Sequence, residues 1–323
     1  MTYASNPELN VIALAGGVGG ARMACGLAAL LPPERLTVIV NTGDDFTHWG
    51  LKICPDIDTV LYNLAGLANP KTGWGLRDES YDCLTAVEAL GGPGWFRLGD
   101  RDLATHLMRS EMLLGGASLT TATRQLAQNL GIRPAVLPMS DTPCPTIVIS
   151  DEGELDFQTY FVLRACEPPV RGLRWENADS AQTTPEVQSA LDKADLVVIC
   201  PSNPFVSIDP ILNLPGVRAA LRSIPTLAVS PILGGRTIKG PAAKMFAELG
   251  HAAAPTARDV AAYYQDLLDG FILDQLDSDL TTQIEALGVK AAAMPTLMLD
   301  LAHQKQVARG LLKFGARLAK KAR

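Results

Sequence analysis

The sequence predicts an α/β fold with a doubly wound, mostly parallel sheet. Apolar runs at residues 11–15, 36–40 and 196–200 have the length and composition of strands that are buried on both faces. Each run ends in a short polar or glycine-rich loop, and helical patterns lie between the runs. Such alternation is typical of βαβ units, in which the strands pair in parallel. The predicted fold class is therefore α/β and Rossmann-like.

A glycine-rich sequence, GGVGG at residues 16–20, follows the first strand. A glycine turn between a strand and a helix can direct backbone N–H groups and the helix N-terminus at a phosphate. The dinucleotide fingerprint GxGxxG would need a glycine at position 22, which is Arg22. The Gly-Lys-Ser/Thr ending of a Walker A loop is also absent. We predict a phosphate-binding turn that belongs to neither of these two classes. The alternative is a simple tight turn.

Four carboxylates follow the second strand: Asp44, Asp45, Asp56 and Asp58. Carboxylate oxygens are hard ligands that suit Mg²⁺. Because neighbouring strand residues point in opposite directions, only one of Asp44 and Asp45 is expected to face a given ligand. The alternative is that these acids cap loops and helices, with Asp58 as the N-cap of a short helix in residues 59–65.

Residues 59–131 contain mainly helical patterns, and we interpret them as a small helical insertion. The α/β nucleotide-binding core would then comprise residues 1–58 and 132–323. The expected helices of the insertion lie at residues 59–65, 82–90, 102–114 and 119–130. The last of them has Ser118 as a capping residue and Gly131 as a stop signal.

The second half of the chain returns to strands that alternate with helices. In chain order, the expected elements are a strand at 135–141, an antiparallel ribbon of 146–149 and 155–163, a helix at 185–193, a strand at 196–200, a helix at 216–223, a strand at 226–229, and helices at 242–249, around 263–266 and at 300–321. The last helix is rich in Lys and Arg, and we expect these side chains to form a solvated face rather than a binding surface.

Polar residues follow the predicted parallel strands, where each strand ends. They lie at residues 16–20, 41–45, 140–141, 202–203 and 230–231. In doubly wound folds, ligands bind beyond the carboxyl ends of the strands. The sequence therefore predicts that these loops form the rim of one active site.

Composition limits the classes of function. The net charge of -6 argues against nucleic-acid binding, which usually needs a basic surplus, but it allows nucleotide ligands. No apolar run approaches about 18 residues, and the N-terminus lacks the features of a signal peptide. The six cysteines lie far apart without a CxxC pair, which argues against a zinc ribbon or a compact disulfide framework. A cytoplasmic protein that binds no membrane is expected.

The segment WFRLGDRD at residues 95–102 combines aromatic rings with charges. An arginine here could meet an anion or stack on a flat heterocycle, and the alternative is a helix start capped by Asp100 or Asp102. His106 is expected to pair with Asp102 across a helical turn, which makes it a poor catalytic candidate. The sequence contains no nucleophile elbow and no HExxH motif. A mechanism without a covalent intermediate is favoured.

Seven short blocks follow one another along most of the chain. They are VIVNT (38–42), CPDIDTVLY (54–62), LGDRDLATH (98–106), GASLT (116–120), LPMSD (137–141), CPSNP (200–204) and SPILGG (230–235). Together with LAGGVGGARMACGL at residues 14–27, they resemble the 2-phospho-L-lactate transferase family of coenzyme F-420 biosynthesis. The resemblance reaches to about residue 266 and so covers nearly the whole chain.

The resemblance implies a Mg²⁺-dependent transfer from lactyl-2-diphospho-5′-guanosine, or an analogue, to the ribityl hydroxyl of the deazaflavin Fo (7,8-didemethyl-8-hydroxy-5-deazariboflavin). The hydroxyl attacks the phosphorus that bears the lactyl group, and GMP leaves. By motif, Asp58 and Arg97 are expected to contact Fo. Asp45 and Asp58 are the expected catalytic residues and metal ligands. The residues expected around the diphosphate and guanosine are Gly16, Gly17, Gly19, Asn41, Thr42, Asp44, Ser140, Asp141, Ser202 and Asn203. A homodimer is the family expectation.

Other functions stay open on the sequence alone. An NAD(P)-dependent oxidoreductase is one, because Asp44 and Asp45 lie near the position of a ribose-binding acid in such enzymes. A non-catalytic nucleotide sensor on the same fold is another. The donor could carry phospholactate, phosphoenolpyruvate or phosphoglycerate. Asp58→Asn is expected to reduce turnover far more than the melting temperature.

Overall fold

A seven-stranded sheet forms the centre of the protein, and all of its strands are parallel. The computed structural model describes residues 9–237 and 240–322, and the side chains as far as residue 318. The strands within these residues, β1 to β14 in chain order, are Val11–Ala15, Leu36–Val40, Phe46–His48, Leu51–Ile53, Ala135–Pro138, Thr146–Ser150, Gly153–Asp156, Val170–Trp175, Leu196–Ile199, Thr226–Val229, Ile232–Leu233, Arg236–Thr237, Gly270–Asp274 and Lys290–Met294.

The strand order in the large sheet is β14-β13-β10-β9-β1-β2-β5. Strands β2 and β5 lie on one side of β1. Strands β9, β10, β13 and β14 lie on the other side, in the order in which they follow along the chain. The order therefore reverses between β1 and β9. In α/β sheets, the crevice outside the carboxyl ends of the strands at such a point is where ligands bind.

Helices cover both faces of the sheet. In chain order, α1 to α12 are Gly17–Ala28, Pro55–Leu64, Asp82–Ala89, Asp100–Leu114, Leu119–Asn129, Pro185–Lys193, Asp209–Leu212, Val217–Leu221, Ala242–Glu248, Ala257–Tyr263, Thr281–Glu285 and Leu301–Ala322. Two π-helical turns, Thr159–Leu163 and Pro204–Ile208, and two 3₁₀ segments, Pro33–Arg35 and Gln275–Leu280, complete the helical structure of the described residues.

Strand β1 divides the core in two. Its residues Ile12 and Leu14 pack into one apolar cluster, which includes residues of α6 to α11. Its residues Val11, Ala13 and Ala15 pack into a second cluster, which includes residues of α1, α2, α5 and α12. All five β1 side chains are buried, as expected for a central strand covered on both faces. The predicted α/β fold with a mostly parallel sheet is confirmed.

Several predicted elements have different bounds in the structure. The extended segment predicted over residues 155–163 is wrong beyond Asp156, because the chain turns there into a π-helical turn. The predicted ribbon of β6 and β7 is present, and β8 adds a third antiparallel strand. Strands β13 and β14 have no counterpart among the predicted elements. Their runs, GFILD and KAAAM, lack a strong period of two, and pairing to the sheet decides their conformation.

The terminal helix α12 packs Val307, Ala308 and Leu311 against the core. Arg309 and Arg317 are exposed on its outer face, and Lys305 is half-buried. That this face is solvated rather than a binding surface stays a prediction. The side chains of Lys320 and Lys321 lie outside those residues. No helix in the described part of the chain has the length and apolarity needed to cross a bilayer.

Candidate active site

A cavity of about 660 Å³ opens at the carboxyl edge of the large sheet, at the reversal of strand order. The core contributes wall residues that follow β1, β2, β9, β10 and β14: Gly16, Gly17, Val18, Gly19, Asp44, Pro201, Ser202, Asn203, Ser230, Pro231, Thr296 and Met298. The segment between α2 and α4 contributes an opposite set, which includes Trp74, Trp95, Phe96 and Arg97. Most of the loops predicted to form one rim therefore meet at one cavity.

The glycine-rich sequence belongs to a helix rather than to a loop. Helix α1 begins at Gly17, with Gly16 as an N-cap that offers no side-chain acceptor. Gly16 donates its N–H to Ser202 Oγ (3.1 Å), and Ser202 Oγ donates to the Gly16 carbonyl (2.6 Å). A Cβ on Gly19 would lie 2.1 Å from the Pro201 carbonyl oxygen. The glycines thus allow close contact between α1 and the loop after β9, which brings Ser202 to the first turn of α1.

Asn41 holds two of the predicted acids together. Its Nδ2 donates to Asp56 Oδ2 (2.9 Å) and to Asp44 Oδ1, and its Oδ1 accepts from the Gly43 N–H (2.8 Å). Asn41 itself and the buried Thr42 lie outside the cavity lining. Asn41 therefore acts on the cavity through the carboxylates that it orients.

Asp44 and Asp56 form a buried carboxylate pair that lines the cavity. Burial raises the pKa of Asp56 to about 6, although the Asn41 side chain and the Gly17 backbone N–H lower it. Burial, followed by the negative charges of Asp56 and Asp45, raises the pKa of Asp44 well above its ordinary value. Two adjacent carboxylates at low dielectric hold a proton strongly, and a divalent cation can replace that proton.

Asp58 lines the cavity with an arginine behind it. Arg109 Nη1 donates to Asp58 Oδ2 (3.0 Å), and Nη2 donates to Asp58 Oδ1. Arg109 is fully buried; burial lowers its pKa, but the charge and hydrogen bonds of Asp58, together with Cys54 and Tyr62, outweigh burial and raise the pKa overall. Helix α2 begins at Pro55, so Asp58 lies within the helix, and its predicted N-cap role is wrong.

His106 lies between two acids in this part of the site. Its Nδ1 is 3.6 Å from Asp58 Oδ2, and its Nε2 is 3.3 Å from Asp102 Oδ1, which confirms the predicted pairing with Asp102. Tyr62 donates its hydroxyl proton to the same Asp102 oxygen (2.5 Å). Burial raises the pKa of Asp102, but its contacts with His106 and Tyr62 and the charge of Arg109 together outweigh burial, so the net shift of the pKa is downward. Asp102 is thereby kept ionised next to a buried histidine.

Asp45 is buried but does not line the cavity. Its Oδ2 is 3.3 Å from Lys52 Nζ and accepts from the Cys54 thiol (3.0 Å), while its Oδ1 has no hydrogen-bond partner in the described residues. Burial raises the pKa of Asp45, and Lys52 opposes that shift. The roles assigned to Asp45 and Asp58 by sequence stay predictions.

Aromatic rings form the wall on the side of the helical segment. Trp95 and Phe96 line the cavity, and Phe46 and His48 pack against both of them, with ring centroids 4.8–6.0 Å apart. The Arg97 guanidinium carbon lies 4.5 Å from the centroid of the Tyr81 ring. Clustered aromatic rings with an arginine beside them suit a flat heterocycle that carries polar groups.

Two predicted site residues lie away from the cavity. Ser140 Oγ donates to the Gln182 carbonyl (2.7 Å), and Asp141 accepts from the Thr120 N–H (2.7 Å) at the start of α5. Neither lines the cavity. Their contacts hold neighbouring segments together around the end of β5.

Sequence reasoning missed Arg109 and the lining residues of the π-helical turn region, Phe157, Gln158 and Phe161. Arg109 had a signal: with Asp102 and His106 it lies on one face of α4, at spacings of four and three residues. The π-helical turn had no such signal in the sequence, because its apolar residues fit an extended strand as well as a helical turn.

Comparisons with known proteins agree with this geometry. The sequence model of the family "2-phospho-L-lactate transferase CofD" matches residues 11–305. The chain belongs to the CofD family. The resemblance found in the sequence blocks is thereby confirmed, and the chain is a CofD-family transferase.

Relatives within the CofD family carry two different names. The chain is 42% identical over 315 residues to a phosphoenolpyruvate transferase of Kitasatospora aureofaciens, with 94% of this chain and 97% of the relative covered. It is 39% identical over 298 residues to a 2-phospho-L-lactate transferase of Methanosarcina mazei, with 92% and 98% covered. A crystal structure of a UPF0052-family protein from Bacillus halodurans, 16% identical, has a TM-score of 0.60 and covers 94% of this chain and 98% of its own; it shares the fold.

Proposed function

We propose that this CofD-family protein transfers a phospholactate-type group from a guanosine diphosphate donor, lactyl-2-diphospho-5′-guanosine or an analogue, to the ribityl hydroxyl of Fo. A new bond forms between the hydroxyl oxygen and the phosphorus that bears the three-carbon acid. The bond from that phosphorus to the bridging oxygen breaks, GMP leaves, and the hydroxyl proton is released. The reaction is a step of coenzyme F-420 biosynthesis in the cytoplasm.

One observation carries this proposal: a single cavity joins a polar end to an aromatic end. The polar end contains the first turn of α1, whose glycine N-cap provides no side-chain acceptor for the helix amides. Such a turn suits phosphate oxygens, with Ser202 and Asn203 beside it. The aromatic end contains Trp95 and Phe96, which suit a deazaflavin ring. A diphosphate and a flat heterocycle can therefore meet in one enclosed space.

Asp58 lines the same cavity as both of these ends. Each carboxylate oxygen keeps a lone pair after it accepts a bond from Arg109, so Asp58 can also accept from the ribityl hydroxyl. Phosphoryl transfer depends mainly on in-line positioning and on neutralisation of charge. We assign to Asp58 the orientation of the hydroxyl and the acceptance of its proton, and to Arg97 a contact with Fo at the aromatic end.

The carboxylates fit a magnesium ion. Asp44 and Asp56 line the cavity with raised pKa values, and Asp45 has a buried oxygen without a partner in the described residues. Within the described residues no group of three or more His, Cys, Asp or Glu side chains could hold a metal ion. Mg²⁺ is often held by one or two carboxylates together with substrate phosphates, and it would neutralise charge on the diphosphate. Asp45 and Asp58 are the ligands predicted by sequence. Asp44, Asp56 and Asp58 line the cavity, and the adjacent pair of Asp44 and Asp56 is the second candidate set of ligands.

The identity of the donor is a separate question. The relatives at 39–42% identity are named either 2-phospho-L-lactate transferase or phosphoenolpyruvate transferase. Purified protein with Fo, Mg²⁺ and equal amounts of the lactyl, enolpyruvyl and glyceryl donors should give one dominant phospho-adduct of Fo by mass spectrometry. Family membership favours this transfer over the oxidoreductase alternative. We also propose a homodimer, for which light scattering of the purified protein is the test.

The direct test measures GMP. Folded protein that releases no GMP from any of the three donors in the presence of Fo and Mg²⁺ would overturn the proposed function. Chelation of Mg²⁺ should abolish release, and Asp56→Asn should raise the Mg²⁺ concentration needed for half-maximal rate. An unchanged magnesium requirement in Asp56→Asn would exclude the Asp44–Asp56 pair as the metal site.

A further inference from the structure

Arg22 is a cation in the cavity wall that the reaction outlined above does not use. The side chain is half-buried on α1 and lines the cavity. Within the residues whose side chains the structure describes, its guanidinium forms no hydrogen bond or ion pair with another residue. A guanidinium that is partly removed from water gains strongly from an anionic partner.

The other positive groups near the cavity are already engaged. Arg109 is paired with Asp58, and Lys52 with Asp45. Arg97 is stacked over the Tyr81 ring. Among the described cavity-lining residues, Arg22 is therefore the arginine left for an anionic ligand.

The position of Arg22 on α1 directs its charge toward the first turn. Arg22 and Val18 are four residues apart, so they share one face of the helix, and helical side chains lean toward the N-terminus. The rise along the helix between them is about 6 Å, which an arginine side chain spans. A Cβ on Gly73 would lie 2.6 Å from Val18 Cγ1 and 3.5 Å from Arg22 Nη2. The loop at Gly73 thus lies beside this face of α1 and next to the guanidinium, which also lines the cavity.

We infer that Arg22 binds the carboxylate of the three-carbon acid on the donor. The inference rests on the proposed function, in which that carboxylate is attached to the carbon bearing the phosphoryl oxygen. When the diphosphate lies at the first turn of α1, its acid group is within reach of the guanidinium. A planar guanidinium matches a carboxylate with two parallel hydrogen bonds. Arg22 thereby distinguishes acid-bearing donors from GDP, and it does not distinguish lactyl from enolpyruvyl donors.

The test uses calorimetry to measure the binding of three ligands to the wild type, two Arg22 variants and one control variant. Fo is left out so that no turnover occurs. The ligands are GDP, the lactyl donor and the carboxamide of that donor. Wild-type protein should bind the lactyl donor about 10- to 100-fold more tightly than the carboxamide, the range for one charge-assisted pair. Arg22→Gln should bind both with equal affinity and should bind GDP as the wild type does. Arg22→Lys should recover part of the difference.

Arg133→Gln is the matched control, because Arg133 is exposed before β5 and does not line the cavity. It removes the same charge and should keep the wild-type preference. An equal loss of GDP and donor affinity in Arg22→Gln would assign Arg22 to the diphosphate and overturn the inference. A preference for the lactyl donor that persists in Arg22→Gln would also overturn it. Wild-type protein that binds no guanosine ligand would overturn the transferase function itself, and the inference with it.

Discussion

At the scale of the residue, the ion pair of Asp58 and Arg109 links the site to the stability of the protein. Removal of one partner leaves the other as an uncompensated buried charge, which typically costs about 3–5 kcal/mol. Arg109→Leu should therefore lower the free energy of unfolding by about that amount, measured by urea denaturation. Arg124→Leu removes an exposed pair with Glu186 and should cost about 0–1 kcal/mol. Equal, small losses in both variants would contradict the structural role of the buried pair.

The same pair changes the expectation for Asp58→Asn. The sequence alone predicts that this variant loses far more turnover than melting temperature. In the structure, the substitution removes the counter-charge of a fully buried arginine, so both quantities should fall. The double variant Asp58→Asn, Arg109→Gln should recover part of the melting temperature and none of the activity. Recovery of neither would show that the two side chains do not depend on each other.

The buried pair of Asp44 and Asp56 predicts how stability depends on pH. Both pKa values are raised in the folded protein, that of Asp56 to about 6. The folded state therefore binds more protons than the unfolded state. The contribution of Asp56 to stability is lost as the pH rises from about 4 through 6, and that of Asp44 is lost in the same direction. Each unit of pKa elevation corresponds to about 1.4 kcal/mol. Thermal unfolding without Mg²⁺ should show a melting temperature that decreases over this interval.

Asp56→Asn is the variant that isolates this effect. The amide is neutral at every pH and can donate to Asp44. The decrease in melting temperature with rising pH should therefore become smaller, and the variant should be more stable than the wild type at pH 8. Saturating Mg²⁺ should stabilise the wild type most at high pH. A wild-type curve that is flat from pH 4 to pH 8 would contradict the raised pKa values.

At the scale of the element, α1 is packed so closely that a Cβ at Gly19, Gly20 or Gly26 would clash with a neighbouring segment. A Cβ on Gly26 would lie 2.3 Å from the backbone carbonyl oxygen of Gln304 in α12. Gly26→Ala should therefore cost at least about 1–3 kcal/mol, because two helix backbones must move apart. Gly115→Ala, at the C-cap of α4 with a nearest contact of 3.4 Å, should stay within about 0.5 kcal/mol.

Chemical denaturation of Gly26→Ala and Gly115→Ala measures the two losses in the free energy of unfolding. Gly26 is outside the cavity lining, so the Gly26→Ala protein that remains folded should keep the wild-type KM for the donor. A variant as stable as the wild type would show that the contact between α1 and α12 is looser than described here.

At the scale of the whole molecule, one cavity is walled both by the sheet edge and by the segment between α2 and α4. A ligand that fills it contacts both parts and should stabilise the chain as a unit. GDP with Mg²⁺ at 100 times its dissociation constant should add about 2.7 kcal/mol, seen as a rise of a few degrees in the melting temperature. NAD⁺ at the same concentration should have no such effect. A rise with NAD⁺ and none with GDP would favour the oxidoreductase alternative.

The sequence by itself determined the α/β fold class, the family, most strands and helices up to β10, and most of the loops at the cavity. These follow from local signals: apolar runs, the Ser118 cap, and motif blocks whose residues are close in sequence. Only the tertiary structure decided which acids face the cavity and which groups neutralise their charge, because Asp58 meets Arg109 across 51 positions of the chain.

The tertiary structure also shows what the glycine-rich sequence does. The glycines begin a helix that packs against the loop after β9, and Arg22, which breaks the dinucleotide fingerprint, faces the cavity as an unpaired cation within the described residues. Such contacts join residues far apart in sequence, and no local pattern encodes them.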